Sequence, residues 1–210
     1  MSRFKSRQNF AKDLCYYELV KQTKGVAGDI FECGVYYGNS LMNYANLSVA
    51  LEPYNYQCKI VGFDTFEGGV GISSKDLNNP YFERKDGEYY ADSYEDLQQS
   101  IEIFDLDRPL NHLEKVRLIK GDIRVEGEKY LINNPQTVIR ILSLTMNFYE
   151  PTKFALENFY PRLAVGGILV INGLNHAAGA TVALNEFLGI GSSRIKVFDF
   201  YPNITYMIKE

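Results

Sequence analysis

The chain has 210 residues, a net charge of −4, 46% hydrophobic and 23% charged residues, the make-up of one ordinary globular domain (1–210) with room for a sizeable core. A mildly acidic chain without a dense Lys/Arg stripe has no electrostatic reason to bind nucleic acid. Its three cysteines, Cys15, Cys33 and Cys58, include no CxxC pair, which argues against a disulfide framework or a zinc site and for a reducing compartment.

The start, MSRFKSRQNF, lacks the apolar core of a signal peptide. No apolar run approaches the roughly 18 residues of a membrane span. A cytoplasmic, membrane-free protein is the expectation. With 16 tyrosines, 13 phenylalanines and no tryptophan, the aromatic rings are read as core packing, with some lining a ligand cleft or subunit contact.

Along the chain, Phe10, Leu14, Tyr17 and Val20 share one face of a helix predicted over 10–24, which Gly25 and Gly28 end. Ile30 to Val35 reads as a buried strand. Asn39 and Ser40 are N-cap types ahead of a helix over 41–51. Lys59 to Phe63 is a second strand, ending at Asp64. The stretch 67–92 is rich in Gly, Asn, charge and aromatic rings. So long a loop in a compact domain reads as a lid or substrate loop, with a merely mobile insertion as the alternative. Ser93 precedes a helix over 94–104.

Further strands are predicted at 116–119 and 138–144, and a helix over 151–160 with Pro151 in its first turn. Gly166-Gly167 is read as a turn into a fifth strand, 168–171. A helix follows over 177–188. Two terminal β runs, 194–200 and 204–208, flank Pro202-Asn203 as an antiparallel hairpin. Strands alternating with helices give a Rossmann-like, doubly wound, mostly parallel sheet.

In such sheets a ligand lies beyond the carboxyl ends of the strands. The candidate segments are therefore Glu32 to Ser40, Asp64 to Phe66 (through Thr65), Gly121 to Ile123, Thr145 to Tyr149, and Asn172 to His176. Gly34 and Gly38 allow a tight turn and close backbone approach. Their G-x-x-x-G spacing departs from the dinucleotide fingerprint and disfavours NAD or FAD; the same pair would serve an ordinary strand-to-helix turn. Asp64 is placed to accept both hydroxyls of a ribose, or to cap a turn. Asp122 or its neighbouring backbone would take an adenine amino group. The weight lies in the three sites occurring together at successive strand ends.

The segments GDIFECGVYYGNS, VGFDTFEGG, VRLIKGD and FYEPTKFALENFYPRLAVGGILVIN, with ALNEF beyond them, resemble the macrocin O-methyltransferase family. The fourth is the most specific. The resemblance implies a class I methyltransferase fold with a seven-stranded sheet, and S-adenosylmethionine as cofactor. It implies that Glu32, Gly34, Tyr36, Gly38 and Ser40 border the cofactor's methionine and ribose part. Asp64 would hold the ribose, with Thr65 and Phe66 beside it. Asp122 and Ile123, after Gly121, would hold the adenine. A sugar or polyol hydroxyl would be the small-molecule acceptor, and the protein would form a dimer or larger homo-oligomer.

One departure matters. The family carries Leu-Asp-x-Asp before the helix and Ile-Asp-Asp after the double glycine, and three of those carboxylates bind a divalent cation. Here the segments read LTMNFYEPT and VINGLNH. The ligand positions fall on Thr145, Asn172 and Gly173, and the remaining family Asp on Asn147. Mg²⁺ demands oxygen ligands that usually include one or two carboxylates, so no divalent metal is expected. Without it the acceptor needs a general base or an acidic hydroxyl of its own. His176, beside the altered site, is the candidate base; a helix-start or interface histidine is the alternative. His112 reads as a surface residue. Asn147 and Asn172 would orient the acceptor. The leading function is a metal-independent O-methyltransferase; a cofactor-binding protein that has lost catalysis is the second reading.

Overall fold

A computed structural model describes residues 5–77, 85, 87–189, 191 and 195–210. It opens with α1 (Arg7–Gln22), β1 (Asp29–Cys33), α2 (Asn39–Leu51), β2 (Ile60–Asp64), α3 (Ser74–Leu77) and α4 (Tyr94–Leu106). It continues with β3 (Val116–Lys120), α5 (Ile123–Asn133), β4 (Ile139–Leu144), α6 (Tyr149–Asn158) and β5 (Leu163–Asn172). It closes with α7 (Ala178–Leu188), β6 (Lys196–Phe198) and β7 (Tyr201–Ile208).

The seven strands form one sheet in the order β3-β2-β1-β4-β5-β7-β6. The first five are parallel, while β7 runs antiparallel to both β5 and β6. This is the class I methyltransferase arrangement the sequence predicts, terminal hairpin included. Alternate strand residues feed the two faces. Ile30, Ile60, Ile141 and Ile168 pack under α1, α2 and α4. Phe31, Val61, Leu142 and Leu169 pack under α5, α6 and α7. The order reverses beside β1, so the crevice at the switch point opens where β1 and β4 end.

Several boundaries differ from expectation. The helix α5 was not predicted. Its interior Gly127 weakens the helical pattern, yet there is no room there for a side chain: a Cβ would lie 2.6 Å from Phe154 and 3.0 Å from Phe159. Helix α2 starts at Asn39 with Gly38 as its N-cap in the left-handed region, so Asn39 and Ser40 are helical rather than caps. Ser93 precedes α4, but its hydroxyl donates to the Tyr36 carbonyl at 2.6 Å instead of capping. Helix α6 begins two residues earlier than expected, at Tyr149, and Pro151 lies in its first turn as predicted.

Gly166-Gly167 lies inside β5 rather than before it. The ladder to β4 shifts register there, and both glycines bond to Lys209 of the chain's end. The stretch 67–92 is not wholly irregular, since it carries α3. Its residues 78–84 and 86 lie outside the described residues, as does Arg194, the first residue of the predicted terminal run.

Candidate active site

A cavity of about 300 Å³ opens across the carboxyl ends of β3, β2, β1, β4 and β5, within the size range of small-molecule sites. Of the predicted site residues, Gly34, Tyr36, Ser40, Asp64, Thr65, Gly121, Asp122, Ile123 and Asn147 line it. Glu32, Gly38, Phe66 and His176 do not.

The turn after β1 forms one wall. Gly34 has φ +95, and a Cβ there would stand 2.7 Å from the Thr145 hydroxyl oxygen and 3.1 Å from the Met146 nitrogen. Only glycine lets β1 and β4 release their chains this close together. Gly38, at φ +75, supports the turn from behind, where a Cβ would collide with Leu97 of α4. Between them Tyr36 takes φ 55, a conformation that a bulky residue holds only under constraint.

The constraint is Asp64. Its Oδ2 accepts the N–H groups of Val35 at 2.6 Å and Tyr36 at 2.8 Å. Its Oδ1 accepts the N–H of Phe66 at 2.8 Å. A carboxylate offers about four acceptor positions, so three are engaged and one remains on Oδ1. The expectation that Asp64 takes both hydroxyls of a ribose narrows to a single strong acceptor. Phe66, at φ 57, is not on the cavity wall; its ring is buried 5.2 Å from that of Tyr94. Thr65 closes the turn by donating to the Gly68 carbonyl at 2.7 Å.

Asp122 caps α5, accepting the Arg124 N–H at 2.9 Å. Its carboxylate also holds the Arg124 guanidinium, with Nε 3.0 Å from both oxygens. Burial opposes ionisation, but Arg124 holds this carboxyl below the usual range. Its charge is therefore committed within the chain, and a ligand at this end would meet Ile123 and the backbone of 121–123 instead.

Glu32 sits beneath the cavity, fully buried on the α2 side of β1. The Ser40 hydroxyl donates to its Oε1, and Oε2 is buried without a hydrogen-bond partner. Burial pushes its pKa up to about 8, with Asp64 adding to the rise and Ser40 and Lys12 resisting it.

The far end of the cavity holds Thr145, Met146, Asn147, Phe148, Pro151 and Asn172. The residues do not fit a divalent cation. The Thr145 hydroxyl donates to the Cys33 carbonyl at 2.8 Å and also contacts that of Gly34. Asn172 supplies a neutral amide, and Gly173 no side chain at all. Among the described residues, no group of three or more His, Cys, Asp and Glu side chains could hold a metal. His176 is exposed in the turn after β5 and is not brought to the cavity wall, so its expected role as base has no support from its position. His112 is likewise exposed.

Sequence reasoning marked the 67–92 stretch as a lid or substrate loop without naming its residues, and missed Lys12 altogether. Gly68, Gly69 and Val70 enter from one side of the 67–92 stretch and Tyr89 from the other. The two sides are tied by Gly69 N–H to Glu88 O at 2.7 Å and Gly87 N–H to Gly69 O at 3.0 Å. Tyr37, Tyr36, Tyr89 and Phe148 follow one another along this rim, with ring centroids 4.3, 6.4 and 6.5 Å apart in turn. The residue with no such hint is Lys12 of α1, whose place in an N-terminal helix gives no local signal. Among the described residues, no helix is long and apolar enough to cross a membrane.

No curated protein matches the chain. Among solved structures it is similar to CalS11, a calicheamicin methyltransferase, with a TM-score of 0.88, 29% identity, and coverage of 95% of this chain and 79% of that one. An apo structure of CalS11, described as a TDP-rhamnose 3'-O-methyltransferase of calicheamicin biosynthesis, gives 0.80 at the same identity and coverage. The O-methyltransferase NovP shares the fold, at TM-score 0.72, 19% identity, and coverage of 95% and 79%. The family model for macrocin O-methyltransferase matches residues 12–192, a span that takes in the switch-point turn, Asp64, the Asp122 cap and the neutral far end of the cavity. The chain belongs to the macrocin O-methyltransferase family, whose members are methyltransferase enzymes.

Proposed function

We propose that this protein is an S-adenosylmethionine-dependent O-methyltransferase that works without a divalent metal on a small sugar-like or acidic hydroxyl. The observation that carries this reading is the polarity of the cavity. One end keeps a carboxylate, Asp64, with a single acceptor position open. Among the described residues, the polar groups at the other end are neutral: Thr145, Asn147 and Asn172.

The residues suit the cofactor's parts in sequence. The 121–123 backbone and Ile123 would bound the adenine. Asp64 would take one ribose hydroxyl on Oδ1. Gly34, Tyr36 and Ser40 would border the amino-acid arm. The bound cofactor supplies an electrophilic methyl group on a sulfonium. Asn147 and Asn172 would orient an acceptor hydroxyl by hydrogen bonds, and Gly69, Phe148 and Tyr89 would shield it from water. Alignment of this kind supplies much of the rate of a two-substrate transfer.

Among the described residues, the acceptor end of the wall shows no evident proton acceptor, because His176 lies outside it. That favours an acceptor whose hydroxyl gives up its proton readily, or one that releases it to solvent. CalS11 acts on TDP-rhamnose, so a nucleotide-activated deoxysugar heads the acceptor panel, followed by phenols and carboxylates. The loss of all three metal carboxylates favours one second reading, a cofactor-binding protein without turnover.

Calorimetry with S-adenosylmethionine, followed by an acceptor screen with and without EDTA, tests these readings. Binding and turnover that ignore EDTA are expected. Strong stimulation by Mg²⁺ would refute the metal-free mechanism. Binding without turnover of any acceptor would favour the second reading.

A further inference from the structure

Lys12 is the only basic side chain lining the cavity among the described residues. It sits in α1, half-buried, and closes no ion pair among the described residues. The adjacent Asp13 is committed elsewhere: it pairs with Lys5 and accepts Asn43 Nδ2 at 3.0 Å. Asn43 also donates to the Asn39 carbonyl at 2.9 Å. This amide therefore pins the Lys12–Asp13 turn of α1 to the first turn of α2.

That first turn is itself deficient in partners. Gly38 caps it with no side chain, and the first intrahelical bond is Met42 N–H to Gly38 O. The N–H groups before it have no acceptor within the helix, and Asn39 and Ser40 both line the cavity. An uncommitted ammonium and uncommitted N–H groups thus converge on the same corner, on the β1 side and away from Asp122. Glu32 feels Lys12, but it is sealed under Ser40 and outside the cavity wall. The corner therefore favours an anion, and among the described residues none closes an ion pair there.

We propose that Lys12 binds the α-carboxylate of the cofactor's amino-acid moiety, with the N–H groups opening α2 as its partners. The inference rests on the S-adenosylmethionine reading above and extends it to a residue outside the strand ends. With Asp64 at the ribose, it fixes the direction of the cofactor. The amino-acid arm runs toward α1 and α2, and the neutral groups beyond β4 and β5 are left to the acceptor.

Two ligands separate the inference from the reading on which it rests. S-adenosylmethionine has the carboxylate; 5'-methylthioadenosine keeps the adenosine and thioether but lacks the amino-acid arm. By calorimetry, Lys12→Gln should weaken S-adenosylmethionine about 10- to 100-fold, the loss of one charge-assisted hydrogen bond. It should leave methylthioadenosine unchanged, and Lys12→Arg should retain most of the affinity. Equal affinity of Lys12→Gln and wild type for S-adenosylmethionine would overturn the assignment. So would equal losses for both ligands, which would indicate a general effect on the pocket. If the wild type binds neither ligand, the cofactor reading itself fails and the assignment with it. Thermal melts of each variant confirm folding; the side chain is half-exposed and closes no ion pair among the described residues.

Discussion

Glu32 illustrates how one buried side chain can set a pH response. It is sealed between β1 and α2, near Tyr16, Tyr44, Cys33, Asp64 and Lys12. Its native pKa of about 8 stands well above the ~4.3 of an unfolded glutamate. Between those limits the native state holds a proton that the unfolded chain has released. Stability therefore falls as pH rises through this window. A neutral acid can also donate from Oε2, which otherwise has no partner, as Tyr44 Oη and Ser143 Oγ in the same core have none. Urea unfolding at pH 5, 6.5 and 8 should show wild type losing stability against Glu32→Gln, whose amide does not titrate. Parallel curves would mean that Glu32 is ionised throughout. The sequence marks Glu32 as a strand-end residue, but not its depth. The alternation that sends Ile30 toward α2 and Phe31 toward α6 sends Glu32 the same way as Ile30, into the core.

At the level of elements, α6 lacks a capping side chain of its own, since its N-cap is Phe148. Asp76 of α3 supplies the cap from 73 residues away. Its Oδ1 accepts the Tyr149 N–H at 2.8 Å, and its Oδ2 accepts Ser73 N–H at 2.8 Å and Ser73 Oγ at 2.7 Å. Asp76 is buried, and Gly179 of α7 leaves it room, since a Cβ there would strike Asp76 Oδ1. Lys75 adds a second tie, 2.6 Å from Glu186 and 3.9 Å above the Tyr149 ring. The stretch that walls the cavity is thus fastened to the helix that begins just past Phe148. Asp76→Ala should cost about 2 kcal/mol, from a lost cap and an unsatisfied N–H, with faster amide exchange at 149–152. Asp76→Asn, which keeps an acceptor, should cost less. Unchanged stability in Asp76→Ala would refute the capping role. Local capping rules look one turn upstream of a helix, so no sequence reading of 145–149 finds Asp76. Helix α5 escaped for a related reason: Gly127 answers to the rings of α6, a tertiary demand that local propensity cannot express.

Across the whole molecule, chemistry and stability sit at opposite edges of the sheet. The carboxyl edge was legible because each parallel strand ends in a short segment with its own signature, such as GVYYG, DTF or GDI. Of what joins those segments from outside, Lys12 carries no such mark, and Tyr89 only its place in the stretch read as a lid or substrate loop. The amino edge carries its own charged group. Arg140 in β4 is fully buried, with Nη1 2.6 Å from Glu52 Oε2. Lys115 donates to the carbonyls of Asn55 at 2.9 Å and Cys58 at 2.7 Å, and Asp29 accepts the Lys59 N–H at 2.7 Å. Removing one member of a buried pair costs more than the pair contributes, because the remaining charge is stranded. Glu52→Gln should therefore destabilise by about 3 kcal/mol, while the double variant with Arg140→Met recovers much of the loss. Both should leave S-adenosylmethionine affinity unchanged, because the sheet separates this cluster from the cavity. A denaturation series with parallel calorimetry checks both expectations. A loss of cofactor affinity in a variant that still melts cooperatively would show that the two edges are coupled through β1 and β4, and that Arg140 acts on the site as well as on the fold.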